Sequence, residues 1–216
     1  MKISVVIPAL NEEKMIEDSL KSINNQTLPR KDYEIIVVDG KSSDKTVEIA
    51  RKYADRVLVG NYKPIGLARD IGLRKAKGEI VAQTDADTIV PNNWLESFIK
   101  AFEDKRVVGA FGNLRYKEKT IPSKFYERGA RLIILFFKHV MPMFHGFNIC
   151  VRKNAALEVG GFVHALSGED YNIGKKLKKI GKVVYVPVDV ETSARRLLKN
   201  PIKTLLYYGG FIKWDT

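Results

Sequence analysis

The sequence has one cysteine, three histidines and no long apolar segment, and each shortage excludes a class of protein. Cys150 cannot form an intrachain disulfide, which fits a reducing compartment and excludes a cysteine-rich zinc module. The histidines are scattered, so they form no His-based cluster with metal-ligand spacing. Apolar runs fall short of the ~20 residues that cross a bilayer, and residues 1–8 are too short for a signal peptide. We therefore expect a cytoplasmic protein.

Two glycine-rich phosphate-binding motifs are also missing. No G-x-G-x-x-G follows the first predicted strand, and G-x-x-x-x-G-K-[ST] occurs nowhere in the chain. Dinucleotide-binding Rossmann and P-loop proteins are therefore disfavoured. A nucleotide bound here would depend on a metal, on Arg69 and on other side-chain contacts.

The net charge of +12 is unevenly distributed. Residues 1–111 contain 18 Lys/Arg against 17 Asp/Glu, whereas residues 112–216 contain 19 against 8. This asymmetry indicates a first half whose clustered acids handle a cation and a second half that faces an anionic surface or substrate. A lysine-rich surface that serves solubility or thermostability explains the charge equally well.

Short apolar strands alternate with amphipathic helices along the first half of the chain. Strands are predicted at residues 3–8, 33–38, 56–60, 79–83, 107–115, 144–151 and 182–186, and helices at 12–23, 65–76, 94–103, 123–140, 169–180 and in a segment ending near 53. This order predicts an α/β fold, with a Rossmann-like, mostly parallel sheet and helices on both faces. We expect one domain over residues 1–216, with residues 1–111 and 112–216 as two lobes of one sheet.

Polar residues follow the predicted strands, where an α/β sheet binds its ligands. They are Asn11, Glu12, Asp39, Asp85 and Asp87, with Arg69 just inside a helix. Asp39 ends a buried strand, where a carboxylate needs hydrogen-bond donors that a ligand can supply. Asp85 and Asp87 can share Mg²⁺ or Mn²⁺ together with substrate phosphates. Asp-x-Asp alone is a weak motif, but its position after a strand strengthens it.

Taken together and in order, these motifs resemble those of the inverting family 2 glycosyltransferases, which have the GT-A fold. The resemblance rests on SVVIPALNE (4–12), IVVDGKSSDKT (36–46), GLARDIGL (66–73), AKGE (76–79), DAD (85–87), GGF (160–162) and Glu169-Asp170. It runs from residue 3 to about residue 190. Asp70 and Lys41 depart from the family pattern, which bears on donor recognition and not on the fold.

The resemblance also implies roles for particular residues. Pro8, Ala9, Asn11 and Glu12 would line the nucleotide pocket, Asp39 would accept a hydrogen bond from the base, Arg69 would reach the diphosphate, Asp85 would approach the ribose or a metal-bound water, and Asp87 would ligate the metal.

Glu169 and Asp170 open a basic helix. From the sequence alone, such acids are explained by the helix dipole. With the resemblance, we assign Asp170 as the base that deprotonates the acceptor and Glu169 as the residue that orients it. Arg195-Arg196 are surface arginines or close over the diphosphate, and we include Arg196 among the donor-binding residues.

The resemblance therefore implies a metal-dependent inverting glycosyltransferase that uses Mg²⁺ or Mn²⁺. We favour a UDP-sugar donor, with GDP-mannose second, and a hydroxyl or phosphate acceptor on a glycan or lipid carrier. The alternative is a non-catalytic protein of the same fold that binds a nucleotide or polyanion. No RNA-binding motif of aromatic and basic residues occurs, so we expect no nucleic-acid partner.

Two segments of the second half are typical of a membrane boundary. Within 123–140, Lys124, Arg128, Arg131 and Lys138 share one helical face beside the apolar run 132–137, and residues 202–214 repeat the theme. We expect contact with an anionic membrane surface, against the alternative of a helix packed on the sheet or in a dimer. Trp94 is predicted to be a packing or interface residue. His145 is predicted to be buried and hydrogen-bonded, against the alternative that it faces the acceptor or the metal.

Overall fold

A single mixed sheet forms the centre of the molecule. The computed structural model describes residues 3–137, 144–165 and 168–200, apart from the side chains of Ile133, Leu135, Phe137 and Arg196. Its strands are β1 (Ile3–Ala9), β2 (Tyr33–Asp39), β3 (Arg56–Val59), β4 (Ile80–Gln83), β5 (Val107–Tyr116), β6 (Ile149–Arg152) and β7 (Lys182–Thr192).

The strand order is β3-β2-β1-β4-β6-β5-β7. Only β6 runs antiparallel to its neighbours, β4 and β5, and the other described pairs are parallel. The predicted mostly parallel α/β sheet is confirmed. The carboxyl ends of β1, β2 and β4 meet at one edge.

Helices cover both faces of the sheet. They are α1 (Ile16–Asn24), α2 (Thr46–Tyr53), α3 (Ile65–Lys75), α4 (Trp94–Ala101), α5 (Ile121–Phe137), α6 (Lys153–Glu158), α7 (Glu169–Leu177) and α8 (Arg195–Lys199), with a 3-10 turn at Arg30–Asp32. Alternate residues of β1 serve the two cores: Val5 and Ile7 face α1, α2 and α4, whereas Val6 faces α3. Burial on both faces explains why β1 and β2 are continuously apolar.

The largest differences from the predicted elements lie in the second half. The strand expected at 144–151 is only Ile149–Arg152, because residues 144–148 form a loop. The strand expected at 182–186 continues to Thr192, and α6 and α8 were not predicted. Within the described residues the helix expected at 123–140 is Ile121–Phe137, and the segment 202–214 lies outside them.

The two halves share the sheet and even a strand. The boundary expected at residue 111 falls within β5, and β6 of the second half lies between β4 and β5. The half-molecules are therefore interleaved. Among the described residues, none of the helices combines the length and apolarity that crossing a bilayer demands.

Candidate active site

A cavity of about 710 Å³ lies at the carboxyl edge of β1, β2 and β4. This volume is typical of sites for nucleotide-sized ligands. Its lining includes five of the residues singled out from the sequence: Pro8, Ala9, Glu12, Asp85 and Asp87. The opposite wall comes from Tyr62–Ile65, Tyr116, Phe147 and the segment that leads from β7 into α8.

Asn11 and Asp39 build the turn beside the cavity. Both Asp39 carboxylate oxygens accept hydrogen bonds from Ser42, one from its amide (2.8 Å) and one from its hydroxyl (2.6 Å). Asn11, at φ 55°, donates its amide hydrogen to the Ser42 hydroxyl and accepts from the Ser43 amide. The protein itself thus supplies two hydrogen-bond donors to the Asp39 carboxylate. A contact of Asp39 with a base stays a prediction, since each carboxylate oxygen can accept a second hydrogen bond.

Arg195 joins two acids of the cavity. Its Nη2 atom lies 2.8 and 2.9 Å from the two carboxylate oxygens of Glu12 and 3.0 Å from Oδ2 of Asp87. Arg196 is the predicted donor-binding arginine, and its side chain lies outside the described residues. The guanidinium that the structure brings to the cavity is that of Arg195, which was not among the predicted donor-binding residues.

Arg69 is enclosed by protein groups and does not line the cavity. Its side chain is 2% exposed and donates to Oδ1 of Asp85 at 2.7 Å, to Oε1 of Glu169 at 3.1 Å, and to Gln83 and the Gly146 carbonyl. The residue holds Asp85 and Glu169 on one buried cation. A contact of Arg69 with the diphosphate stays a prediction.

Asp170 lies next to this network. Its carboxylate accepts from the Gly146 amide at 2.7 Å and from the Tyr171 amide at 2.7 Å, and the Gly146 carbonyl accepts from Arg69. Burial raises the pKa of Asp170, although the charge of Arg69 opposes the change. Burial and the neighbouring Asp170 charge likewise raise the pKa of Glu169. Glu169 and Asp170 are thus tied to Asp85 without lining the cavity themselves.

Two acids of the cavity, Asp87 and Glu12, have pKa values raised above the ordinary range. Burial, and then the charge of Asp85, raises the pKa of Asp87, and burial raises the pKa of Glu12. The Arg195 ion pairs act in the opposite direction at both residues. A cation placed among these carboxylates would relieve the same unfavourable charge.

The donor set fits a hard cation that is completed by substrate. Asp85 and Asp87 offer carboxylate oxygens to the cavity, with side chains 29% and 19% exposed. Among the described residues, no three His, Cys, Asp or Glu side chains lie close enough together to hold a metal without further ligands, either in the cavity or elsewhere. One or two carboxylates plus substrate phosphates is how Mg²⁺ is commonly bound.

Trp94 packs inside the protein, as predicted, whereas the side chain of His145 is half-buried. Trp94 is fully buried and its indole N–H donates to Oδ1 of Asn148 at 2.9 Å. His145 stacks on Phe147, with ring centroids 5.4 Å apart, and burial lowers its pKa to about 4. The imidazole is therefore neutral at physiological pH.

The sequence pattern of a known protein family matches most of the chain. Residues 4–161 match Glycosyl transferase family 2. The chain belongs to this family. The predicted resemblance is confirmed.

Curated relatives of this family 2 chain extend beyond it. AglE, a glycosyltransferase of Haloferax volcanii, is 28% identical over 192 residues, which are 83% of this chain and 62% of AglE. A Campylobacter jejuni GalNAc(5)-diNAcBac-PP-undecaprenol beta-1,3-glucosyltransferase is 32% identical over 82% of this chain and 60% of its own length. The chain thus spans about three fifths of these two relatives.

Solved structures share the fold at low sequence identity. The mannosyltransferase PcManGT of Pyrobaculum calidifontis, in complex with GDP-Man and Mn²⁺, is 24% identical, with a TM-score of 0.76 over 96% of this chain and 60% of that structure. S. aureus TarS in complex with UDP-GlcNAc is 21% identical, with a TM-score of 0.72 over 90% of this chain and 59% of that structure. The GT-A fold is therefore confirmed.

Proposed function

We propose that this chain transfers a sugar from a nucleoside-diphosphate donor to a hydroxyl or phosphate acceptor, with inversion at the anomeric carbon. The observation that carries the proposal is the Arg69 bridge. One buried guanidinium holds Asp85, which lines the cavity, and Glu169, which precedes Asp170. Two acidic motifs far apart in sequence thereby meet at one site, as a reaction between two substrates requires.

The residues in and beside the cavity have separate roles in this proposal. Pro8, Ala9 and Glu12 contact the nucleotide directly, whereas Asn11 and Asp39 shape the turn at its base. Asp85 and Asp87 hold Mg²⁺ or Mn²⁺, which when bound neutralises charge on the leaving diphosphate. Arg69 acts as a positioning residue. Arg196 remains a proposed donor contact, and Arg195 joins it.

Asp170 is the proposed catalytic base. The acceptor oxygen forms a bond to the anomeric carbon as the bond from that carbon to the diphosphate oxygen breaks, and the acceptor proton passes to the Asp170 carboxylate. Two backbone amides fix that carboxylate, and burial raises its proton affinity. Glu169 orients the acceptor while Arg69 fixes its position.

A UDP-sugar is the favoured donor and GDP-mannose the second. Solved relatives of the fold hold UDP-GlcNAc in TarS and GDP-Man in PcManGT, so both bases fit the architecture. A curated relative is named for an undecaprenol-linked substrate, which supports a glycan or lipid-linked acceptor. We propose a cytoplasmic location with peripheral membrane contact. A non-catalytic nucleotide- or polyanion-binding protein is the alternative.

Replacing Asp170 by Asn tests the proposal. The donor is first chosen as the UDP- or GDP-sugar that raises the melting temperature of the protein most in the presence of Mn²⁺. Asn keeps the size of the side chain but cannot take the proton, so the rate of nucleotide release from that donor should fall at least ~100-fold. Nucleotide affinity in calorimetry should survive in Asp170→Asn, and the exposed control Asp18→Asn should match the parent protein in both measurements.

The pH profile provides a second readout. Below its raised pKa, Asp170 is protonated and cannot accept the acceptor proton, so the rate at saturating donor should fall on the acid side. This acid limb should vanish in Asp170→Asn. Near-normal turnover of the variant would move the role to Glu169. A protein that binds nucleotide sugars but neither transfers nor hydrolyses them would favour the binding alternative.

A further inference from the structure

Helix α5 carries a row of large apolar side chains that point into solvent. Ile121, Phe125, Leu132 and Phe136 are 86%, 77%, 56% and 72% exposed. Spacings of four, seven and four residues place them along one helical face. A contiguous exposed apolar face of this kind marks an interaction surface.

The opposite side of α5 already holds the helix on the fold. Ser123 and Ile134 are buried, and Tyr126 packs against the core beneath. Glu127 turns inward, where it accepts from the Tyr116 amide and pairs with Lys119 at 3.3 Å. The exposed apolar residues are therefore not needed to attach α5 to the sheet.

Basic side chains accompany the apolar row. Lys124, Arg128 and Arg131 are exposed, and the only acidic residue of α5 is the inward-turned Glu127. Arg131 also pairs with Asp189 at 2.8 Å. An apolar face lined by cations and free of exposed acids is the pattern that lies in the interface of an anionic bilayer.

We propose that this exposed face of α5, defined by Ile121, Lys124, Phe125, Arg128, Leu132 and Phe136, docks on an anionic lipid surface. A second copy of the chain fits less well, since a two-fold contact through α5 would bring like charges together. Anionic headgroups supply the opposite charge beside an apolar layer.

Docking would also bring the candidate active site close to the membrane. Tyr116 lines the cavity and is held by Glu127 of α5, and α5 packs against α8, which carries Arg195. The cavity would then lie near the headgroup layer, where a lipid-linked acceptor presents its reactive group. This consequence rests on the proposed function, whereas the docking itself does not.

Vesicle sedimentation of the full chain tests the proposal. Binding is compared between phosphatidylcholine vesicles and phosphatidylcholine vesicles that contain phosphatidylglycerol. We expect binding to the anionic vesicles that weakens as salt rises. Because each surface cation contributes about fivefold to such binding, Lys124→Glu combined with Arg128→Glu should lower it at least ~25-fold, and Phe125→Ser combined with Phe136→Ser at least ~10-fold.

The matched control reverses exposed charges on other helices. Arg51→Glu with Lys100→Glu changes the net charge by the same amount and should keep most of the binding. Circular dichroism and nucleotide-dependent thermal stabilisation confirm that each variant is folded, and they report on the proposed function separately. Absence of vesicle binding, equal losses in the control, or a dimer that Phe125→Ser dissociates would overturn the proposal.

Discussion

The Arg195 guanidinium lies between two carboxylates at the cavity, those of Glu12 and Asp87. It neutralises Glu12 and Asp87 when no other cation is present. Removing it in Arg195→Ala should strengthen Mn²⁺ binding in the absence of nucleotide about fivefold, the factor that corresponds to about 1 kcal/mol for a half-exposed ion pair. Calorimetric titration measures this affinity. Arg106→Ala, which breaks another exposed Arg–Asp pair, is the control and should leave it unchanged. Weaker Mn²⁺ binding in Arg195→Ala would contradict this account.

Which residue of a pair faces a site depends on geometry that the sequence does not express. Arg195 and Arg196 are adjacent, and the direction of the Arg195 side chain follows from where β7 ends and α8 begins. Arg69 presents a similar difficulty: the Asp85 and Glu169 carboxylates that surround it lie 16 and 100 residues away. Motifs identified the residue types, but contacts between them required the fold.

At the scale of elements, the first turn of α3 packs closely against residues 163–165 of the loop that precedes Glu169. The Gly66 amide donates to the Ala165 carbonyl at 3.2 Å, and a Cβ on Gly66 would lie 2.1 Å from the Val163 carbonyl oxygen. Gly66→Ala must therefore shift this loop, and small displacements of reacting groups cost up to ~100-fold in rate. We expect donor turnover, measured as nucleotide release, to fall by at least tenfold.

Gly129→Ala provides the control for that experiment. A Cβ at Gly129 of α5 meets nothing within 4 Å, and alanine favours a helix interior by about 0.5–1 kcal/mol over glycine. The control should melt slightly higher and keep its donor turnover. Normal turnover of Gly66→Ala would show that the loop tolerates displacement.

Elements buried on both faces were predictable, whereas those shaped by the site were not. Apolar strands β1 and β2 were predicted almost to the residue, because continuous burial leaves a continuous apolar run. Residues 144–148 contain the apolar side chains Phe144 and Phe147 and were included in a predicted strand, yet Gly146 is needed in the loop between Arg69 and Asp170. The strand predicted at 182–186 stops just before Pro187, whereas β7 continues past it, because β7 is an edge strand with an irregular register opposite Gly112, where a missing N–H costs little.

At the scale of the whole molecule, one buried amide links elements from both halves. Asn148 is fully buried; its Oδ1 accepts from Trp94 of α4, and its Nδ2 donates to the carbonyls of Asn113 in β5 (2.7 Å) and Val188 in β7 (3.1 Å). Together with the interleaved order β4-β6-β5, this contact makes independent folding of two halves implausible on physical grounds. We expect a single cooperative unfolding transition.

Asn148→Ala should lower the stability of the entire molecule. The substitution leaves an indole N–H and two carbonyl oxygens without their buried partner, at a cost of about 2–4 kcal/mol. For a chain of this size the Tm should fall by roughly 5–15 °C. Calorimetry should still record one transition, with equal calorimetric and van't Hoff enthalpies. Asn92→Ala, at an exposed position, should leave the Tm within about 1 °C, because surface substitutions rarely exceed ~0.5 kcal/mol. Two separate transitions in the Asn148 variant would instead mean that the halves unfold independently once this link is removed.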